Sequence, residues 1–173
     1  MFVGTLRSMA SDVVPQFATA DLYDTHAERV EVSELEWISV GQRRRFAGPI
    51  ETLKAFEDNS LVREILGEPG RGRVLVVDAG GSRRRAMLGD QLAQRAVDAG
   101  WAGVVIWGCI RDRVAIDAMA LGVRCIGTTP RKTEKRGEGQ RGIRLQFGGA
   151  RFEPGAWLYA DEDGILVSPL SLS

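Results

Sequence analysis

The chain has 173 residues, 44% of them apolar, and its 23 Lys and Arg balance 23 Asp and Glu. That is enough to bury one core and too apolar for a disordered chain, and the missing basic excess argues against a general nucleic-acid binder. Two cysteines outside any metal-ligand spacing, with no apolar run of about 18 residues, point to a reduced, cytoplasmic setting without a membrane span. The opening MFVGTLRSMASDVV lacks a basic start and a clean apolar core, so no secretory signal is expected.

In chain order, residues 1–15 read as a peripheral extension to a single domain over 1–173. FATADLYDTHAER (17–29) reads as a helix starting near Thr19 or Asp21, with His26, the single histidine, on its surface. VEVSELEWISV looks like strand and turn, and the basic QRRRFA lies between Gly41 and Gly48-Pro49. IETLKAF (50–56) alternates like a strand, and SLVREILGEPG is a helix stopped by Gly67 and Pro69. VLVVD (74–78) and GVVIW (103–107) are aliphatic runs of the kind buried on both sheet faces. Between them the loop AGGSRRR precedes apolar positions 88, 92, 93, 96 and 97, a helical stripe that stops at Gly100. A short helix (114–122), a strand (123–127) and the basic loop TPRKTEKRGEGQR follow. The chain closes with antiparallel strands joined at Pro154-Gly155 and Asp163-Gly164, so the class is α/β with a parallel βαβ centre.

Consecutive parallel strands end on one edge, where open α/β sheets bind ligands. Asp90 follows the first central strand and Arg111-Asp112 follows the second, with twenty residues between Asp90 and Arg111. The amides of Gly89, Asp90, Gln91 and Leu92 at a helix start suit a small carboxylate, and Arg111 adds a bidentate guanidinium. Asp112 offers a hard oxygen for Mg²⁺ or Mn²⁺, the remaining ligands being water and a 2-oxo acid, and Asp90 is placed to hold a water and move a proton. From spacing alone Asp90 is more often a helix cap, and an Arg-Asp pair more often a surface pair. DAGGS lacks a GxxxxGK[ST] pattern, and DEDG reads as a hairpin turn rather than a calcium loop.

The stretch FAGPIETLKAFEDNSLVREILGEPGRGRVLVVDAGGSRRRAMLGDQLAQRAVDAGWAGVVIWGCIRD, with LGVRCIGTTPRKTEKRGEG, resembles one family over Thr19 to Ser168. That family, RraA-like, unites class II 4-hydroxy-4-methyl-2-oxoglutarate aldolases with the regulator of ribonuclease activity A. The aldolase signature, Asp, twenty residues, Arg-Asp, falls on Asp90, Arg111 and Asp112. The resemblance implies a single-domain β/β/α sandwich like the swivelling phosphohistidine domain, assembled as a homotrimer or dimer of trimers. It implies substrate contacts at Gly89 to Leu92 and Arg111, Asp90 and Arg111 as catalytic residues, and Asp112 as ligand to a divalent cation, Mg²⁺ or Mn²⁺. The implied reaction releases pyruvate from 4-hydroxy-4-methyl-2-oxoglutarate and decarboxylates oxaloacetate. The alternative is the regulator branch, which binds and inhibits an endoribonuclease and lacks the acids matching Asp90 and Asp112. No general base is assigned; Lys132, Glu57 and Asp58 are weaker candidates, and Lys132 or Lys135 is considered for a distal substrate carboxylate.

Overall fold

The computed structural model describes residues 15–172, so the expected extension lies almost wholly outside the described residues. In chain order the elements are α1 (Thr19–His26), β1 (Glu31–Val32), β2 (Ile38–Val40), β3 (Phe46–Lys54), α2 (Ser60–Leu66), β4 (Val74–Asp78) and β5 (Ala86–Leu88). They continue with α3 (Asp90–Ala99), β6 (Gly103–Trp107), β7 (Cys109–Ile110), α4 (Arg113–Asp117), β8 (Gly122–Cys125) and β9 (Gly127–Thr128). Last come β10 (Gln140–Arg141), β11 (Leu145–Phe147), β12 (Ala150–Phe152), β13 (Trp157–Ala160) and β14 (Ile165–Ser168).

β3, β4, β6 and β8 pair in parallel, linked by α2, α3 and α4, and form the centre of a sheet ordered β1-β14-β13-β3-β4-β6-β8-β2, with β10 also on β3. Both faces of this centre are covered, which is why its strands read as unbroken aliphatic runs. Leu75, Val77, Val104 and Ile106 join the core under the helices, whereas Val74, Val76 and Val105 join a second core with Leu145, Phe147, Phe152 and Leu158. The order helix, sheet, second β layer is the expected β/β/α sandwich.

Several boundaries differ from the sequence reading. β3 starts at Phe46, because Phe46 to Pro49 pairs antiparallel with β13 before Ile50 to Lys54 pairs parallel with β4. Leu88 belongs to β5, and the helix starts at Asp90. The 114–122 helix is Arg113–Asp117. VEVSELEWISV splits into β1 and β2, which sit at opposite edges of the sheet. The hairpin β11–β12 turns at Gly148-Gly149, both at positive φ, whereas Pro154-Gly155 links strands that do not pair with each other. α1 has no cap of its own; Asp161, in the turn between β13 and β14, accepts from Thr19 N and Thr19 Oγ1 at 2.7 Å each. No helix of the described residues is long and apolar enough to cross a membrane.

Candidate active site at the carboxyl edge of a small parallel sheet

Beyond the carboxyl ends of β4, β6 and β8 the chain forms a second, three-stranded parallel sheet, β5-β7-β9. Each of its strands is two or three residues long; β5 and β7 run within one or two residues into α3 and α4, and β9 runs into a loop. β5 delivers Gly89-Asp90, β7 delivers Arg111-Asp112, and β9 delivers Thr129-Pro130. The ladder extends one step further, with Arg111 N–H donating to Leu88 O at 2.9 Å and Thr129 N–H to Ile110 O at 3.0 Å. Leu88 and Ile110 are fully buried under this sheet, so apolar anchors fix the residues that follow them. In the sequence the only trace of this device is an apolar residue directly before both Gly89 and Arg111.

The small sheet brings Gly89, Asp90, Arg111 and Asp112 together. Asp112 Oδ2 accepts the Asp90 N–H at 3.1 Å and lies 3.8 Å from Arg111 Nε. Gly89, at the N-cap of α3, has no side chain to satisfy a helix amide, so a carboxylate 22 residues beyond Asp90 takes the Asp90 N–H. The helix dipole favours a negative charge there. Of the expected anion cradle, the Asp90 amide is thus held by Asp112, and the Gln91 N–H donates to Asp90 Oδ1 at 2.8 Å. Gln91 is exposed, and the Leu92 side chain packs against the helix-side core.

Asp112 sits in the left-handed region (φ 57, ψ 39), a conformation Asp and Asn tolerate better than other side chains. Gly89 is required by proximity: a Cβ there would lie 2.8 Å from Asp112 Oδ2 and 3.4 Å from Arg111 Nε. Gly89→Ala is therefore expected to displace both charged groups, lowering turnover about 100-fold while the melting temperature falls by only about 2–4 °C, the scale of losing the cap on α3. Parallel rate and thermal-melt measurements check this.

The loop following β9 is pinned by Asp58 and Asn59. Asn59 Nδ2 donates to Met87 O at 3.3 Å, and Thr133 Oγ1 donates to Asn59 Oδ1 at 2.7 Å. Asp58, fully buried, accepts from Ser60 N and Oγ and from the amides of Arg136 and Glu138. Burial pushes its carboxyl pKa up, but these hydrogen bonds outweigh it and hold the value at about 2. Asp58 is thus a structural anion rather than a base. Because its folded pKa lies below the ordinary 3.8, its stabilisation is present above that value and disappears as pH falls through about 2. The parent should lose roughly 2 kcal/mol across that window, a loss absent in Asp58→Asn, as acid-titrated denaturant melts would record. Glu57, the other weak candidate, accepts from Ser82 Oγ at 2.7 Å and Arg84 Nε at 2.6 Å.

Among the described residues no group of three or more His, Cys, Asp or Glu is arranged to hold a metal. The site's donors are two carboxylates, Asp90 and Asp112. That set fits a hard cation completing its shell with water and substrate oxygens, and it does not fit zinc.

Fold and site together define a class: an α/β sandwich presenting an acid, an arginine and a second acid from adjoining strand ends of a parallel sheet. The RraA-like family, described as Aldolase/RraA, matches residues 19–167, and the chain belongs to it. A Laribacter hongkongensis (strain HLHK9) protein provisionally named 4-hydroxy-4-methyl-2-oxoglutarate aldolase is 57% identical over 153 residues, covering 88% of this chain and 96% of its own. A solved structure from Geobacillus kaustophilus HTA426, described as an S-adenosylmethionine: 2-dimethylmenaquinone methyltransferase, is 53% identical with a TM-score of 0.89, covering 90% of this chain and 97% of that one. The RNA-processing inhibitor RraA from Thermus thermophilis is 44% identical, also at a TM-score of 0.89, covering 92% and 96%.

Proposed function

We propose that the protein is a divalent-metal-dependent lyase that cleaves 4-hydroxy-4-methyl-2-oxoglutarate and related 4-hydroxy-2-oxo acids to pyruvate, and decarboxylates oxaloacetate. The observation carrying this reading is the seating of Asp112 Oδ2 on the α3 amide at 3.1 Å and beside Arg111 at 3.8 Å. A backbone hydrogen bond of this kind orients a ligating carboxylate. The relatives named as aldolases support the same substrate. Asp112 would hold Mg²⁺ or Mn²⁺, with water and substrate oxygens as the other ligands. When bound, such a cation supplies Lewis acidity toward negative charge developing on substrate oxygens.

Arg111 would grip the carboxylate or keto oxygen of the pyruvyl end and hold the C3–C4 bond in a reactive orientation. When that bond breaks, its electron pair stays on C3 as the pyruvate enolate and the C4 hydroxyl loses its proton as a carbonyl forms. Oxaloacetate reaches the same enolate by releasing C4 as carbon dioxide, so both activities belong to one site. Asp90, exposed at the first turn of α3, would hold a water and relay the proton that C3 takes up.

The reading includes a cytoplasmic setting, consistent with the two buried free cysteines. It also includes assembly as a homotrimer or dimer of trimers, for which Val114, 88% exposed and two residues beyond Asp112, offers apolar surface; light scattering measures the mass. The test of function is pyruvate release from both substrates with Mg²⁺, with Mn²⁺ and with chelator. Absence of metal-dependent turnover would favour the second reading, a regulator of an endoribonuclease, which the likeness to the Thermus inhibitor supports. Tight endoribonuclease binding that survives Asp112→Ala would favour it as well.

A further inference from the structure

The loop between β4 and β5 carries three consecutive arginines, and the chemistry above uses none of them. Two are occupied. Arg84 Nε donates to Glu57 Oε1 at 2.6 Å, and its guanidinium lies 5.8 Å from the Phe56 ring centre. Arg85 donates to Lys132 O at 3.0 Å and to Glu134 Oε1 at 3.2 Å. Arg83, although exposed, has no carboxylate at ion-pair distance among the described residues.

The Arg83 guanidinium lies over the small sheet instead. A Cβ on Gly127 would come 2.8 Å from Arg83 Nη1 and 3.1 Å from Cys109 Sγ, so the glycine makes the room in which the arginine rests. Its charge reaches Cys109, whose thiol burial pushes up and Arg83 draws back. Gly127 pairs with Cys109 in the ladder, and successive strand residues face opposite ways. Leu88 and Ile110 point into the helix-side core. Cys109 and Arg111 therefore share the other face. Gly89 is on it too, since its Cβ would meet Arg111 Cγ at 3.5 Å. Arg83 and Arg111 thus stand over one face of the small sheet, with Arg111 two residues beyond Cys109, roughly 7 Å along the strand. Gly89 and Gly127 leave that face without side chains of their own.

We infer that Arg83 binds the distal carboxylate of a dicarboxylic 2-oxo acid and makes the site prefer diacids to monoacids of equal length. The inference rests on the proposed function for the placement of the pyruvyl end at Arg111. A guanidinium without a carboxylate partner among the described residues, on the same face of the small sheet as a second arginine, matches a ligand with an anion at each end. The exposed Lys132 is the rival, but its backbone bridges to Ala86 at the sheet margin, whereas Arg83 lies against Gly127 and Cys109.

Calorimetric binding of 2-oxoglutarate and 2-oxopentanoate, with Mg²⁺ present, tests the idea without turnover. The parent should prefer the diacid at least about tenfold. Arg83→Gln should weaken 2-oxoglutarate by about 10- to 100-fold and leave 2-oxopentanoate within about twofold, as loss of a charged hydrogen bond predicts. Arg83→Lys should restore part of the preference. Equal weakening of both acids, no weakening, a parent that does not discriminate, or a preference lost in Lys132→Gln but kept in Arg83→Gln would each overturn it. Pyruvate release, assayed separately, judges the reaction: a chain that discriminates through Arg83 yet cleaves nothing refutes the lyase and leaves the subsite standing.

Discussion

Replacing Asp112 by asparagine is expected to lower kcat/KM for pyruvate release by about three orders of magnitude, the scale of losing a several-kcal/mol electrostatic contribution, while the chain stays folded. Asparagine also accepts φ near 57, and its amide oxygen can still take the Asp90 N–H, so the cap on α3 survives. What disappears is the negative charge facing Arg111, the charge that the proposed reading assigns to a cation. Asp112→Ala removes both, adding about 1 kcal/mol of lost cap to strain at a left-handed position. The asparagine variant should therefore melt close to the parent and the alanine variant below it, with both catalytically poor. Mn²⁺ titration by calorimetry gives the second readout, a loss of affinity in both variants. An asparagine variant that keeps more than about a tenth of parent kcat/KM, against the three orders expected, would refute the proposed role of Asp112 as a cation ligand.

The largest expected stability effect lies away from the site. Gly103 and Gly122 are paired neighbours on β6 and β8, and the ring of buried Phe46 packs against both Cα positions. A Cβ on Gly122 would overlap the Phe46 ring directly. Phe46 has little room to retreat, because the Arg124 guanidinium sits 5.1 Å above it. Arg124 is itself buried and held by the carbonyls of Val123, Arg44 and Asp161, and burial lowers its pKa to about 10. Gly122→Ala should thus cost about 2–3 kcal/mol through overpacking, a fall in melting temperature of roughly 5–10 °C for a chain of this size. Adding Phe46→Leu should recover part of it, so the double mutant is more stable than the summed singles predict. Strict additivity would mean that ring and glycine do not compete for one space.

How far the site was legible follows from where its determinants lie. The sequence places Asp90 and Arg111-Asp112 at one edge because parallel crossovers return every strand end to the same side, a rule independent of side-chain detail. What sequence did not supply was the occupant of the α3 amides. The sequence assigns Asp90 to the site, with a helix cap as its bland alternative, and leaves the amides open; in the fold, Asp112 takes the Asp90 amide, because Gly89 has no side chain to do so and the register of β5 on β7 puts the carboxylate there. Arg83 reads as one of three like charges in a loop, and only its neighbours' ion pairs and the missing side chain of Gly127 set it apart.

By itself the sequence determined the α/β class, the aliphatic central strands, the apolar stripe of α3 and its stop at Gly100, since each is a local pattern whose period or composition survives without tertiary context. The tertiary structure alone decided the small sheet β5-β7-β9, the separation of β1 and β2 to opposite edges, and the capping of α1 by Asp161 and α3 by Asp112. Strands of two or three residues are too short to carry a period. A cap supplied from 22 or 142 residues away leaves no mark on the residues it serves, so both features exist only once long-range register is set.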